Sequence, residues 1–189
     1  MAICPETAIT EKQRKIGVAE FGQSNGIHFV HGRLDIGAIQ TPALIRHVKK
    51  KIKHDAISII DAPPGTSCPV IEAIKDSDFI LLVTEPTPFG LNDLELAVNM
   101  VRQLKIPFAV MINRSDIGDD AVVQYCHRGN IPVILQLPND RKIAESYSRG
   151  VMIVEAIPDY QQKFVKLYQN VKQSFGFREY QQYTGDYII

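Results

Sequence analysis

Hydrophobic and polar positions follow two alternating patterns along most of the chain. Short apolar runs rich in Val, Ile and Leu occupy residues 57–60, 79–83, 108–112 and 132–135. After each run, apolar residues recur at intervals of three and four, which is typical of amphipathic helices. We predict these helices over residues 69–75, 91–105, 119–128, 140–149 and 160–175. Buried strands that alternate with helices indicate a doubly wound parallel sheet.

The segment before residue 57 has a different pattern. Residues 15–21 and 27–34 flank Gln23-Ser24-Asn25-Gly26, and Asn-Gly between two such runs predicts a β-hairpin. A helix is predicted over residues 37–53, and lysines at its end suit the negative end of the helix dipole. A solvated helix face explains these lysines better than a phosphate-binding patch does. The predicted fold is therefore α/β, a three-layer, mainly parallel sheet with an N-terminal β-hairpin.

Composition narrows the class of protein without identifying it. With 189 residues, 45% hydrophobic and 22% charged, the chain is long enough for one globular domain with its own core. Lys and Arg balance Asp and Glu at 21 each, so we expect no nucleic-acid partner. No apolar run is long enough to span a membrane, and three widely spaced cysteines are no disulfide framework. We therefore expect a cytoplasmic location.

The most informative stretch joins the apolar run at residues 57–60 to Asp61 and then to Pro63-Pro64-Gly65. Ligands of open parallel sheets bind at the carboxyl ends of the strands. An aspartate there can hold Mg²⁺ through water, and the amide of Gly65 can sense a terminal phosphate. The alternative is an ordinary strand end followed by a rigid turn.

Polar residues also follow the later apolar runs. Residues 113–116 read Asn-Arg-Ser-Asp, which matches Asn-Lys/Arg-x-Asp, a base-recognition pattern of many P-loop nucleotidases. The Asn113 carboxamide can donate to and accept from a purine edge, whereas Asp116 either accepts from guanine or caps the next helix. We favour the cap. The predicted nucleotide contacts are Asn113, Arg114, Pro138 and Asn139.

Two of the three cysteines are candidate cluster ligands. Cys4 precedes Pro5, as does the last ligand of the ferredoxin motif C-x2-C-x2-C-x3-C-P, although only three residues precede it here. A stray N-terminal cysteine is the alternative. Cys68 lies seven residues after Asp61 at a predicted helix start. For Cys68 we favour a buried structural role over cluster binding, and we interpret Cys126 as structural.

These residues support a resemblance to a known family. On Cys4-Pro5 and residues 59–71, 82–90, 112–114 and 131–145, the chain resembles the MinD/ParA/Mrp-type deviant Walker A ATPases, which include the nitrogenase iron protein. Within that group it is most similar to the branch with a ferredoxin insertion, known as CobQ/CobB/MinD/ParA nucleotide-binding domains. The resemblance implies ATP and Mg²⁺ as cofactors, a 4Fe–4S cluster in a longer protein, a homodimer, and an iron–sulfur or redox protein partner.

The resemblance also implies roles for particular residues. Asp61 corresponds to the Walker B and switch II aspartate, Gly65 to the switch glycine, and Asn113 to the base contact. The backbone after Pro138 corresponds to the lining of the base pocket. Cys68 stands at the offset of a cysteine that binds the cluster of the nitrogenase iron protein.

The chain departs from the family in one respect. It contains no K-G-G-x-G-K-S/T phosphate loop and no switch I aspartate, so we expect no ATP hydrolysis by this chain alone. The sheet then lacks the phosphate-loop strand, which in the family lies between the strands ending at Asp61 and Thr84.

We predict three segments and carry three functions forward. Residues 1–14 are a remnant of the ferredoxin-like insert, residues 15–176 form the α/β domain, and residues 177–189 form a C-terminal tail. The first function is the nucleotide-binding domain of an iron–sulfur-associated ATPase. The alternative is a non-catalytic interaction or scaffold module. An amide-forming synthetase ranks last, because no Cys/His/Glu triad spacing is evident.

Overall fold

A computed structural model describes residues 12–53 and 55–175. The predictions for Cys4, for most of the ferredoxin-like remnant and for the tail at residues 177–189 lie outside the described residues. The chain divides into two compact units. The first unit contains Met1–Pro63 together with Cys68–Ala73, and the second contains Pro64–Ser67 and Ile74–Ile189.

The first unit is built on the predicted β-hairpin. Strands β1 (Gly17–Ser24) and β2 (Ile27–Leu34) pair antiparallel in continuous register. Asn25 and Gly26 form the turn with φ values of 47° and 79°, the left-handed pair that a two-residue hairpin requires. The hairpin predicted from Asn-Gly is confirmed.

Helix α1 (Thr41–Lys49) packs on one face of the hairpin. It begins later than predicted because Pro42 occupies its first turn, where the fixed φ of proline suits a helix start. A Cβ at Gly32 would lie 2.7 Å from Cγ of Leu44 and 3.1 Å from Cγ2 of Val48. A glycine at residue 32 therefore lets the helix approach the strand closely.

Ionic contacts join α1 to the short helix α2 (Cys68–Ile74). Arg46 Nη1 lies 3.0 Å from Glu72 Oε2, and Lys49 Nζ donates to the backbone oxygen of Glu72 over 3.0 Å. These contacts use part of the lysine-rich end of α1 within the unit.

The prediction of a buried strand at residues 57–60 is wrong. The segment has no strand hydrogen bonding, and the side chains of Ile57 and Ile59 are 64% and 94% exposed. A strand forms only where a neighbour satisfies its backbone groups, and no described strand pairs with this segment.

The second unit contains a parallel sheet, as predicted. Strands β3 (Ile80–Thr84), β4 (Phe108–Ile112) and β5 (Val133–Gln136) lie in the order β3-β4-β5. The register between β4 and β5 shifts once, between Val110 and Met111. The α/β class predicted from the alternating pattern is confirmed.

Helices cover both faces of this sheet. On one face, α3 (Pro88–Leu104) and α4 (Ala121–Arg128) pack in a core of Leu94, Val98, Val110, Ile112, Val122, Cys126 and Ile131. On the other, α5 (Arg141–Ser148), α6 (Ile153–Ala156) and α7 (Pro158–Phe175) pack around Met111, Leu137, Ile153 and Tyr160. Residues of β4 alternate between the two cores, as the two-residue period of a strand dictates.

Helix α3 begins earlier than predicted. Its start was predicted at residue 91, but Thr87 is the N-cap, and its Oγ1 accepts from the Gly90 N–H over 3.0 Å. Pro88 follows at the first helical position. None of the described helices combines the length and apolar character needed to cross a bilayer.

One edge of the sheet lacks a described neighbour. The N–H of Ile80 donates to Pro107 O, and Thr84 O accepts from the Asn113 N–H, so these residues face β4. Because backbone groups alternate sides along a strand, those of Leu81 and Val83 face the other way. No described strand pairs with β3 on that side.

Candidate functional site

The carboxyl ends of β3, β4 and β5 lie at one edge of the sheet, and backbone hydrogen bonds join the loops that follow them. The Asn113 N–H donates to Thr84 O over 2.8 Å, and the Ser115 N–H donates to Leu137 O over 2.8 Å. The structure thus brings together the predicted contacts Asn113, Arg114, Pro138 and Asn139, because each follows a strand of the same sheet. We call the loops at residues 84–90, 113–118 and 137–140 the strand-end platform.

The first loop of the platform is tightly wound. Buried Thr84 donates through Oγ1 to Gly90 O over 2.9 Å, while Gly90 N–H binds Thr87. A Cβ at Gly90 would lie 2.2 Å from Glu85 O. Only glycine therefore fits at residue 90 without moving the chain.

The second loop is held against the first. Arg114 has a φ of 51°, an uncommon conformation for a residue with a side chain, and its Nε lies 3.7 Å from Glu85 Oε1. Both side chains are partly exposed, so this ion pair contributes little on its own. The closer contact is at Gly118, where a Cβ would lie 1.5 Å from Pro86 O.

Asp116 joins the second loop to the third. Its Oδ1 accepts a hydrogen bond from the Asn139 N–H over 2.6 Å. The favoured prediction that Asp116 caps the following helix is wrong, since Asp119 Oδ1 accepts from the Ala121 N–H at the start of α4. The third loop ends at Asp140, whose Oδ1 caps α5 through the Lys142 N–H.

Tyr160 packs in the core next to the strand-end platform. The sequence analysis did not predict this position for it. It is buried with Leu137 and Met111, and burial, together with the carboxylates of Asp140 and Asp116, raises the pKa of its phenol. The sequence signal was weak, because residue 160 is one of several apolar positions along an amphipathic helix.

Asn113 has the chemistry that a nucleotide base requires. Its side chain is half-buried and forms no hydrogen bond or ion pair with the described part of the chain. A carboxamide whose donor and acceptor are both unpaired can pair with the edge of a purine. The base contact at Asn113 stays a prediction.

Asp61 and Gly65 lie in the irregular segment that leads to α2. Asp61 is exposed, and Gly65 has a φ of 90°, a conformation that favours glycine. No group of three or more metal-ligating side chains occurs among the described residues. A single exposed carboxylate fits Mg²⁺ only through water and with phosphate oxygens completing the shell. The roles predicted for Asp61 and Gly65 stay predictions.

The two described cysteines differ in exposure. Cys68 is exposed, so the favoured prediction of a buried structural Cys68 is wrong. It is the first residue of α2. Cys126 is buried in the core beside α3, and burial raises its thiol pKa, which confirms the structural interpretation.

Sequence comparisons give relatives of two kinds. No protein-family model matches the chain. An uncharacterized protein of Methanocaldococcus jannaschii is 33% identical over 145 residues, which are 75% of this chain and 50% of that protein. An iron–sulfur cluster carrier protein of Pyrococcus abyssi is 26% identical over 135 residues, 62% of this chain and 45% of that protein. The chain thus spans about half the length of these relatives.

A solved structure agrees with the fold. The cell division ATPase MinD of Pyrococcus furiosus superposes with a TM-score of 0.60 and 22% identity, over 82% of this chain and 69% of that one. The chain therefore has the α/β fold of the MinD-like P-loop NTPases. At 22% identity, this likeness shows the fold alone.

Proposed function

We propose that this chain is the ATP-binding part of an iron–sulfur-associated ATPase of the MinD/Mrp type. The observation that carries the proposal is the strand-end platform, in which three loops fix the backbone of Asn113 and leave its carboxamide unpaired. Such preorganisation costs little ordering on binding and is typical of small-ligand sites at the carboxyl edge of a parallel sheet.

The proposed roles follow the chemistry of each residue. Asn113 binds the adenine edge, and the chain at Arg114, Pro138 and Asn139 lines the base pocket. Asp61 holds Mg²⁺ through water, and the Gly65 amide contacts the terminal phosphate. Bound Mg²⁺ would neutralise phosphate charge during phosphoryl transfer.

The iron–sulfur association is supported by the named function of the Pyrococcus abyssi relative. We propose that Cys4 binds a 4Fe–4S cluster in a longer protein and that the exposed Cys68 is a second candidate ligand. The proposed assembly is a cytoplasmic homodimer that meets an iron–sulfur or redox protein.

Hydrolysis requires groups that these 189 residues lack. A phosphate loop supplies backbone N–H groups and lysines to the phosphates, and no such sequence is present. We therefore propose that the chain binds the base weakly and does not hydrolyse ATP by itself. The missing loop equally favours the second candidate, a non-catalytic interaction or scaffold module that keeps the fold.

NMR titration of the ¹⁵N-labelled chain with adenosine and with Mg-ATP tests the proposal. Both ligands should shift the amides at residues 113–116 and 137–139, and Asn113→Ala should weaken both by about tenfold, because one hydrogen-bonding group of roughly 1.4 kcal/mol is lost. Asp61→Ala should weaken Mg-ATP and leave adenosine unchanged.

Two results would overturn parts of this proposal. Shifts confined to other surfaces, or equal binding by wild type and Asn113→Ala, would remove the base site and leave the scaffold function. ATP turnover by the purified chain, lost in Asp61→Ala, would contradict the inactivity.

A further inference from the structure

The first unit has little core of its own. Of the buried apolar side chains in the described residues, three belong to the first unit and sixteen to the second. The three are Leu44, Val70 and Ala73. One hairpin with two short helices buries too little surface to be stable by itself. The surface of this unit is therefore a place where contact with another molecule would bury apolar area.

The same unit exposes large apolar side chains. Seven of them are exposed in the described part of the unit, namely Phe21, Ile27, Phe29, Ile36, Ile39, Ile57 and Ile59. Single exposed apolar residues are ordinary, but a concentration of them in a small unit marks an interaction surface.

Charge is one-sided in the part of this unit that carries the hairpin and α1. Residues 12–53 contain nine Lys and Arg against two acids, Glu20 and Asp35, although the whole chain balances at 21 each. Glu20 is engaged by His31 and by Arg33. Glu72 of α2 accounts for Arg46 at the end of α1. The described segment that follows, residues 55–63, adds two exposed acids, Asp55 and Asp61.

Three exposed lysines, Lys50, Lys51 and Lys53, follow the end of α1, and two of them contact side chains of the hairpin. Lys51 Nζ lies 5.5 Å from the centre of the Phe21 ring, and Lys53 Nζ lies 2.9 Å from His28 Nε2. Lys50 is exposed beside them. We call Phe21, His28, Lys50, Lys51 and Lys53 the basic face. It combines positive charge with exposed apolar surface.

We propose that the basic face docks an acidic iron–sulfur protein of the ferredoxin type. The Cys4-Pro5 pair, which reads as the last ligand of a ferredoxin motif, lies thirteen residues before the start of β1 in the chain. The hairpin is thus the first described element after the cysteine that we propose as a cluster ligand. An acidic partner with apolar patches would satisfy both the charge and the exposed rings of this unit.

Two other occupants fit less well. A second copy of the chain would bring the same positive face and would be repelled unless it turned a different surface. Single-stranded nucleic acid would seek open aromatic faces for stacking, but Lys51 lies over Phe21, and Phe29 makes an edge contact with His31 at 5.3 Å.

The docking inference rests on the proposed iron–sulfur association and is independent of nucleotide binding. Its test uses the full chain with a purified 4Fe–4S ferredoxin as the probe, measured by calorimetry at 20 and 200 mM NaCl. We expect saturable binding that weakens at least tenfold over this range, since the Debye length shrinks to below 10 Å. Lys50→Glu, Lys51→Glu and Lys53→Glu in combination should weaken it at least tenfold.

The control reverses the same number of charges elsewhere. Lys163, Lys166 and Lys172 are exposed on α7, and their combined change to Glu should leave ferredoxin binding unchanged. Because charge reversal can unfold a small unit, the combined Lys→Gln variant and circular dichroism accompany it. The salt dependence of the wild type requires no variant.

Four outcomes decide against the docking inference. Absence of ferredoxin binding overturns it, as does equal loss in the α7 variant. Equally tight binding of apo-calmodulin, an acidic protein without a cluster, overturns the iron–sulfur identity of the partner. Tighter binding of a poly-uridine oligonucleotide overturns the class of partner. Adenosine binding that fails while ferredoxin binding persists would refute only the nucleotide site.

Discussion

Asp116 and Asn139 are joined by a hydrogen bond of 2.6 Å, although they follow different strands and lie 23 residues apart. The acceptor is a carboxylate and the donor a backbone N–H, which makes the bond stronger than a neutral one. It links the loop that carries Asn113 to the loop that follows β5. The residue that resembled a guanine contact in the sequence is therefore a clamp between loops.

Replacing this carboxylate should destabilise the protein. Asp116→Ala removes the partner of the Asn139 N–H, and because both residues are exposed and water can replace the carboxylate, we expect a loss of about 0.5–1.5 kcal/mol. For a domain of this size, this corresponds to a Tm lower by roughly 1–6 °C in a thermal melt. Asp116→Asn keeps an acceptor, so its Tm should lie between that of the wild type and that of Asp116→Ala.

Asp93→Ala is the matched control for that change. Asp93 is exposed, and its side chain contacts only that of Asn92, over 3.4 Å. Its Tm should equal that of the wild type. A Tm for Asp116→Ala equal to that of Asp93→Ala would show that the clamp carries no stability.

Gly118 should tolerate no side chain. An added Cβ would lie 1.5 Å from Pro86 O, so Gly118→Ala must displace a backbone segment of the strand-end platform. We expect a loss of about 1–3 kcal/mol, the usual cost of overpacking, in urea unfolding. Gly22→Ala meets nothing within 4 Å and should be neutral or slightly stabilising. Equal midpoints for the two variants would contradict the tight contact.

Cys68 and Cys126 should react with thiol reagents at very different rates. In a Cys4→Ser background, Ellman's reagent at pH 8 should label Cys68 rapidly, because it is exposed. Cys126 should react only after unfolding, since it is buried and burial raises its pKa, which lowers the thiolate fraction. Cys68→Ala should abolish the fast phase. A fast phase of two thiols would mean that the α4 core opens readily.

The Glu20 carboxyl should titrate below its usual pKa of 4.5. The hydrogen bond from His31 is the main cause of the lowered pKa, and the charge of Arg33 is the next. Because the folded pKa lies below the unfolded one, the interactions of this carboxylate stabilise the hairpin above about pH 4.5 and are lost as the pH falls through the folded value.

Carbon-detected NMR titration of the Glu20 carboxyl measures this pKa directly. His31→Ala should raise it more than Arg33→Ala does, in the order of the two causes. The reverse order, or a wild-type pKa at 4.5, would show that the pair with His31 does not persist in solution.

The local patterns of the sequence predict most of the second unit. The run at residues 108–112 becomes β4, buried on both faces, because only a central parallel strand places such a run in two cores. The start of α3 was predicted three residues late, although Thr87 followed by Pro88 is a helix-start signal in the sequence.

What failed depends on distant parts of the chain. Residues 57–60 have the composition of a strand, but whether a run becomes one is decided by a neighbour that local sequence does not specify. Likewise, the pairing of Asp116 with Asn139 and the place of Tyr160 beneath the platform depend on how loops after different strands meet. The predicted site residues that follow β4 and β5 lie together because the carboxyl ends of parallel strands share one edge of the sheet. This rule predicts their proximity without predicting their individual contacts.

The unpaired side of β3 affects how association of this protein is to be interpreted. Backbone amides at Leu81 and Val83 that face outward can template any extended segment with parallel spacing, whatever its sequence. Concentration-dependent oligomers of the purified chain would then report the lengthening of a sheet and would say nothing about a native two-fold pair. Sedimentation can distinguish a two-fold dimer from such sheet extension only once pairing at the β3 edge has been blocked.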